Sequence, residues 1–149
     1  MEQPGPPDVV LLATDWQPRA LIRAQLIEEG LEVIATDTWS MMRRHLRAGV
    51  KPQLALVDLK DLANPEQVLR DLRVLMKPDR VLVLTATGTV PSAVIKGLGF
   101  RAVSRPIAIE GVVRAAVTAI RFESHQAELN GSAAEASSPK LLNRRAKRS

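Results

Sequence analysis

Leu54-Ala55-Leu56-Val57 is an unbroken apolar run that stops on a carboxylate, Asp58, with Leu59, Lys60 and Asp61 behind it. Such a run has the length of a strand and is too short for a helix. Apolar and polar residues do not alternate in it, so both faces of the strand must be buried, as in a parallel sheet. Val9-Val10-Leu11-Leu12-Ala13 and Val81-Leu82-Val83-Leu84 read the same way. Residues 31–35 and 100–104 are two weaker strands. Helical stretches separate them. The spacing predicts a helix over 18–29, ended by Gly30, and one over 38–48, capped by Thr38 and ended by Gly49. Another covers 64–76, with Asn64 as cap and Pro65 in the first turn. A fourth spans 90–98 and stops before Gly99. In the fifth, 108–122, Ile109, Val112, Val113, Ala116, Val117 and Ile120 form one apolar stripe.

Strands alternating with helices at this pace predict an α/β fold with a parallel sheet. Right-handed crossovers then put helices on both faces. The expected architecture is a flavodoxin-like, doubly wound sandwich with strand order 2-1-3-4-5. Residues 8–122 make up this domain. Residues 1–7, rich in Pro and Gly, read as a flexible arm. Residues 123–149 read as the end of the last helix and a disordered basic tail finishing Asn143-Arg144-Arg145-Ala146-Lys147-Arg148-Ser149.

The 149 residues suit one domain, and an apolar share of 46% is enough for a core. With no cysteine there is no disulfide scaffold, thiolate metal site or thiol nucleophile. His45 and His125 are too far apart in sequence for a histidine cluster. No apolar run reaches the ~18 residues of a membrane helix. The first residues, MEQPGPPD, lack the basic and apolar regions of a signal peptide, so a cytoplasmic location is expected. The formal charge of +5 divides into −1 on 1–7, +3 on 8–126 and +3 on 127–149.

Ligands of doubly wound sheets sit beyond the carboxyl ends of the strands, where the strand order reverses. Strand 1 ends Ala13-Thr14-Asp15, strand 3 on Asp58, strand 4 on Thr85-Ala86 and strand 5 on Ser104-Arg105-Pro106. A carboxylate at a strand mouth can accept a phosphoryl group, with a hydroxyl and a cation holding its oxygens. A second acid would help to hold magnesium. In this layout the chain resembles the response-regulator receiver (CheY-like) domain over residues 8 to about 122. The resemblance implies Asp58 as phosphoacceptor, Thr85 as the switch hydroxyl and Arg105 at the place of the conserved lysine before proline. It also implies magnesium as cofactor, with Asp15 as candidate ligand.

The departures from that pattern bear on mechanism. The adjacent acids that end strand 1 in the family fall here on Ala13 and Thr14, and Asp15 comes one place late. Ala102 stands where the family has an aromatic, so its hydroxyl–aromatic switch is not expected to operate. Leu59-Lys60-Asp61-Leu62 replaces the usual Met-Pro and Gly after the acceptor. Weak magnesium binding follows, because phosphoryl transfer depends on charge neutralisation that the metal largely supplies. Arginine's planar fork could grip Asp58 without phosphorylation.

Plainer roles stand beside these: loop hydrogen bonding for Asp58, backbone bonding for Thr85, a counter-ion for Arg105 and a helix cap for Asp15. Lys60 and Asp61 are expected to face solvent, as is the basic face Arg43-Arg44-His45-Leu46-Arg47. Trp16 and Trp39 fall near the C-terminal edge of the sheet.

The expected function is that of a single-domain, receiver-like protein in two-component (phosphorelay) signalling, a pseudo-receiver acting by protein contact. It is not expected to be an enzyme. Expected partners are a sensor kinase, a phosphotransfer protein or a downstream target, with homodimerisation open. Two alternatives remain: a nucleic-acid-associated protein using its basic tail, and a small flavodoxin-like enzyme.

Overall fold

The computed structural model describes residues 6–104 and 108–121. Its elements run β1 (Val9–Leu12), α1 (Trp16–Glu28), β2 (Val33–Thr36), α2 (Trp39–Arg47), β3 (Leu54–Asp58) and α3 (Pro65–Leu75). A 3₁₀ turn (Pro78–Arg80), β4 (Val81–Leu84), α4 (Ser92–Gly97) and β5 (Arg101–Val103) follow. Residues 109–121 are helical and are called α5. All strands pair in parallel in the order β2-β1-β3-β4-β5, as the alternation predicts. The described residues up to Val117 form one compact unit. Thr118 begins a second, of which only residues 118–121 are described. The expected arm, but for Pro6 and Pro7, and the basic tail lie outside the described residues.

β1, β3 and β4 are buried along their whole length, which is why their sequences are apolar without alternation. One face of the sheet presents Val10, Leu12, Ala55, Val57, Val81 and Val83 to a core completed by residues of α2, α3 and α4. The opposite face is left with Val9, Leu11, Leu54, Leu56, Leu82 and Leu84, all buried. On it α1, with Ile22 and Leu26 buried, lies against β1 and β2. α5 buries Val112, Val113, Ala116 and Val117.

Helix boundaries follow capping chemistry. At the end of α1, Gly30 donates to the Ile27 carbonyl and Leu31 to the Leu26 carbonyl. This paired closure needs a left-handed residue, and Gly30 supplies it at φ +88°. Gly49 ends α2 in the same way, bonding Leu46 while Val50 bonds His45. The closure draws Leu31 away from β2, which therefore starts at Val33 and not at the expected residue 31. α1 starts at Trp16, two residues earlier than expected, because Asp15 caps it. Pro18 still fits there, since first-turn N–H groups have no helical partner. Thr38 caps α2 as expected, its Oγ1 accepting from the Met41 N–H at 3.2 Å. Asn64 precedes α3 but makes no side-chain cap bond. It sits in the left-handed region (φ 49°), as does Asp61 (φ 61°), where the chain turns tightly out of β3. α4 is shorter than the expected 90–98, because Val90 precedes Pro91 and is disfavoured as helix.

Candidate functional site

The loops beyond the C-terminal ends of β1, β3 and β4 place Asp15, Asp58 and Thr85 along one edge of the sheet. Asp58 closes β3, opposite Leu84 of β4, and is 1% exposed. Its depth follows from the strand, because the next residue is still held in the sheet by the Leu59 N–H bond to the Leu84 carbonyl at 3.0 Å. One carboxylate oxygen, Oδ1, accepts the Lys60 backbone N–H at 3.0 Å. Asp followed by a donor two residues on is the local turn such side chains favour.

Lys60 also reaches across the site. Its Nζ lies 3.3 Å from Oδ2 of Asp15, the cap of α1. The other Asp15 oxygen, Oδ1, accepts from the Gln17 N–H at 3.4 Å. One residue thus bridges both carboxylates, holding Asp58 by its main chain and Asp15 by its ammonium. Lys60 is exposed, as expected from sequence, but it is no bystander in solvent. Arg19 of α1 completes the arrangement. Its Nη1 donates to the Ala13 carbonyl at 2.7 Å and to the Thr14 carbonyl at 3.1 Å. The turn after β1 is therefore clasped by a guanidinium.

Thr85 follows β4 and is half-buried. Its N–H and its hydroxyl both donate to the Val103 carbonyl, at 3.0 and 3.5 Å. The hydroxyl is directed toward β5. Ala102 in β5 is exposed. Arg105 lies outside the described residues. Trp16 stands 68% exposed at the start of α1, whereas Trp39 packs on the α2–α4 side of the core.

A shallow cleft of about 420 Å³ opens beside the bridge, lined by Asp15, Gln17, Pro18, Leu21, Lys60 and Ile109. A divalent cation would need several free, hard oxygen ligands. The described residues at this edge do not fit one. The Ala13 and Thr14 carbonyls are taken by Arg19, and Asp15 and Asp58 both bond Lys60. An incoming cation would also meet an ammonium and a guanidinium. No group of three or more Asp, Glu, His or Cys suited to a metal occurs among the described residues.

Sequence reasoning placed Asp15, Asp58 and Thr85 at this edge but missed Arg19 and the reach of Lys60. The proximity of Lys60 to Asp58 in sequence was the available signal for the second; nothing in the spacing marked the first.

No family model matches the chain, and no curated protein does. Solved structures do match. A CheY-like response regulator receiver domain protein from Methanospirillum hungatei superposes with a TM-score of 0.69 at 16% identity, covering 82% of this chain and 99% of that one. The signal receiver domain of a putative LuxO repressor protein from Vibrio parahaemolyticus gives 0.67 at 20%, covering 84% and 98%. A structure named adenylate cyclase, from Rhodopirellula baltica, gives 0.62 at 18%, covering 83% and 96%. The chain has the fold of response-regulator receiver domains.

Proposed function

We propose that this receiver-fold chain is a signalling module of the two-component type, in which Asp58 holds the phosphoacceptor position and output comes from protein contact without phosphorylation. The observation that carries the reading is the Lys60 bridge between Asp58 and Asp15. Phosphoryl transfer to a carboxylate is governed by positioning and by neutralising the charge on the transferred group. Here the Lys60 ammonium is already committed to Asp15, and the acceptor is 1% exposed. Both features slow transfer while leaving the fold of a signalling domain in place. Magnesium is not part of the resting site in this reading.

The surface of α1 supports the protein-contact half. Trp16, Ala20, Leu21, Ala24 and Ile27 are all exposed, so the outer face of this helix is largely apolar. Exposed apolar patches of this kind mark interaction sites. Trp16 adjoins Asp15, so a partner lying along α1 would also cover the cleft. The partner would be a sensor kinase, a phosphotransfer protein or a downstream target, and the setting the cytoplasm. No helix among the described residues is long and apolar enough to cross a membrane.

Intact-mass measurement after incubation with magnesium and acetyl phosphate tests the reading. We expect no stable phosphoryl adduct. An adduct that disappears in Asp58→Ala would show a working acceptor and overturn it.

A further inference from the structure

At the opposite edge of the sheet, the α2–β3 connection (48–53) meets the α3–β4 connection (76–80). Between them lies a cavity of about 290 Å³. Its floor is apolar: Leu46, Val50, Pro52, Leu75 and Met76. Leu46 belongs to the core cluster, and Val50, Leu75 and Met76 pack against it, so this floor is an open end of the interior. Its rim is cationic: Lys51, Lys77 and Arg80, with no carboxylate among the lining residues. None of the three makes an ion pair among the described residues. Asp79, beside Arg80, is exposed and does not line the cavity.

We infer that this cavity is a binding site for a small amphipathic anion, a carboxylate or phosphate head on a short apolar body. Three like charges around one concavity repel one another, and an anionic head reverses the sign of that interaction. The stretch of chain that leads into the cavity, residues 39–52, carries Arg43, Arg44, Arg47 and Lys51 and no acid. The floor supplies the second element of recognition, because an apolar body seated on Leu46, Leu75 and Met76 leaves water. The volume lies at the small end of ligand cavities, which suits a small organic anion. No aromatic lines the cavity, so it offers nothing for a nucleic-acid base to stack on. The site is separate from the Asp58 edge and does not depend on the signalling reading.

Amide NMR of the full chain, titrated with hexanoate and with phenyl phosphate, tests the inference. The controls are inorganic phosphate (a head without a body), hexanol (a body without a head) and duplex DNA. Saturable shifts centred on Val50, Lys51, Lys77 and Arg80 are expected with at least one of the two amphipathic probes. Both small controls should bind about tenfold more weakly. Lys77→Glu with Arg80→Glu should weaken binding by about the same factor. Met76→Trp should block the body while leaving every rim cation in place. The inference fails if inorganic phosphate binds as tightly as phenyl phosphate, which would mean a merely basic surface. It fails equally if the shifts centre elsewhere, if neither probe saturates, or if DNA binds more tightly than both.

Discussion

Lys60 bonds both carboxylates of the candidate site, Asp58 through its backbone N–H and Asp15 through its ammonium. Replacing its ammonium while keeping its backbone N–H isolates the two roles. Lys60→Met should free Asp15 and remove one positive charge from this edge, raising its weak affinity for a divalent ion. Titration with Mn²⁺, read by quenching of the neighbouring Trp16, should show no saturation in the wild type at millimolar metal. The variant should gain affinity by about fivefold or more. Equal saturable quenching in both would remove Lys60 from its assigned role. Trp39 allows a second test at this scale. Its Nε1 is buried without a hydrogen-bond partner among the described residues. An unsatisfied buried donor costs about 1–3 kcal/mol. Trp39→Phe removes the donor and keeps most of the ring, so urea unfolding should show stability unchanged or raised by up to ~1 kcal/mol.

For elements, the informative comparison is between helix-ending glycines. A Cβ on Gly30 would meet nothing within 4 Å, whereas one on Gly99 would lie 3.1 Å from Cβ of Pro78. Both residues have positive φ. Gly30→Ala should therefore cost only the backbone penalty, about 1 kcal/mol. Gly99→Ala should cost more, because the 3₁₀ turn before β4 must also shift. Denaturant midpoints of the two variants check the order. The same elements show what the sequence could reveal. Apolar runs located β1, β3 and β4, and glycines located the ends of α1 and α2, because both signals are local. The start of β2 was misplaced, because Leu31 serves the end of α1 and not the strand. Arg19 and the reach of Lys60 were not legible, because they depend on where long side chains go. The Asp15–Lys60 contact joins residues 45 apart in sequence.

Across the whole molecule, the interior is divided by the sheet, and β3 contributes to both halves. Leu56 is fully buried on the α1 side, and Leu69 and Leu72 are fully buried on the other. Leu56→Ala or Leu69→Ala should each cost about 2–5 kcal/mol, a large share of a small domain's stability. If either cost less than ~1 kcal/mol in urea melts, that half of the interior would not be close-packed. The distribution of charge is a second whole-molecule property, with residues 39–52 matching nearly the full net charge of the chain.

The central position of β1 has a consequence for how the chain is made. β1 is paired on one side with β2 and on the other with β3, whose first residue is bonded to the Asp8 carbonyl from 46 positions along the chain. During synthesis the first strand emerges long before that second neighbour exists. Until about residue 58 has left the ribosome, one edge of β1 and the apolar side chains around it stay bare, the condition under which nascent chains pair with one another. β3 in turn presents its own second edge until β4 follows, so the bare edge passes outward strand by strand as the chain lengthens.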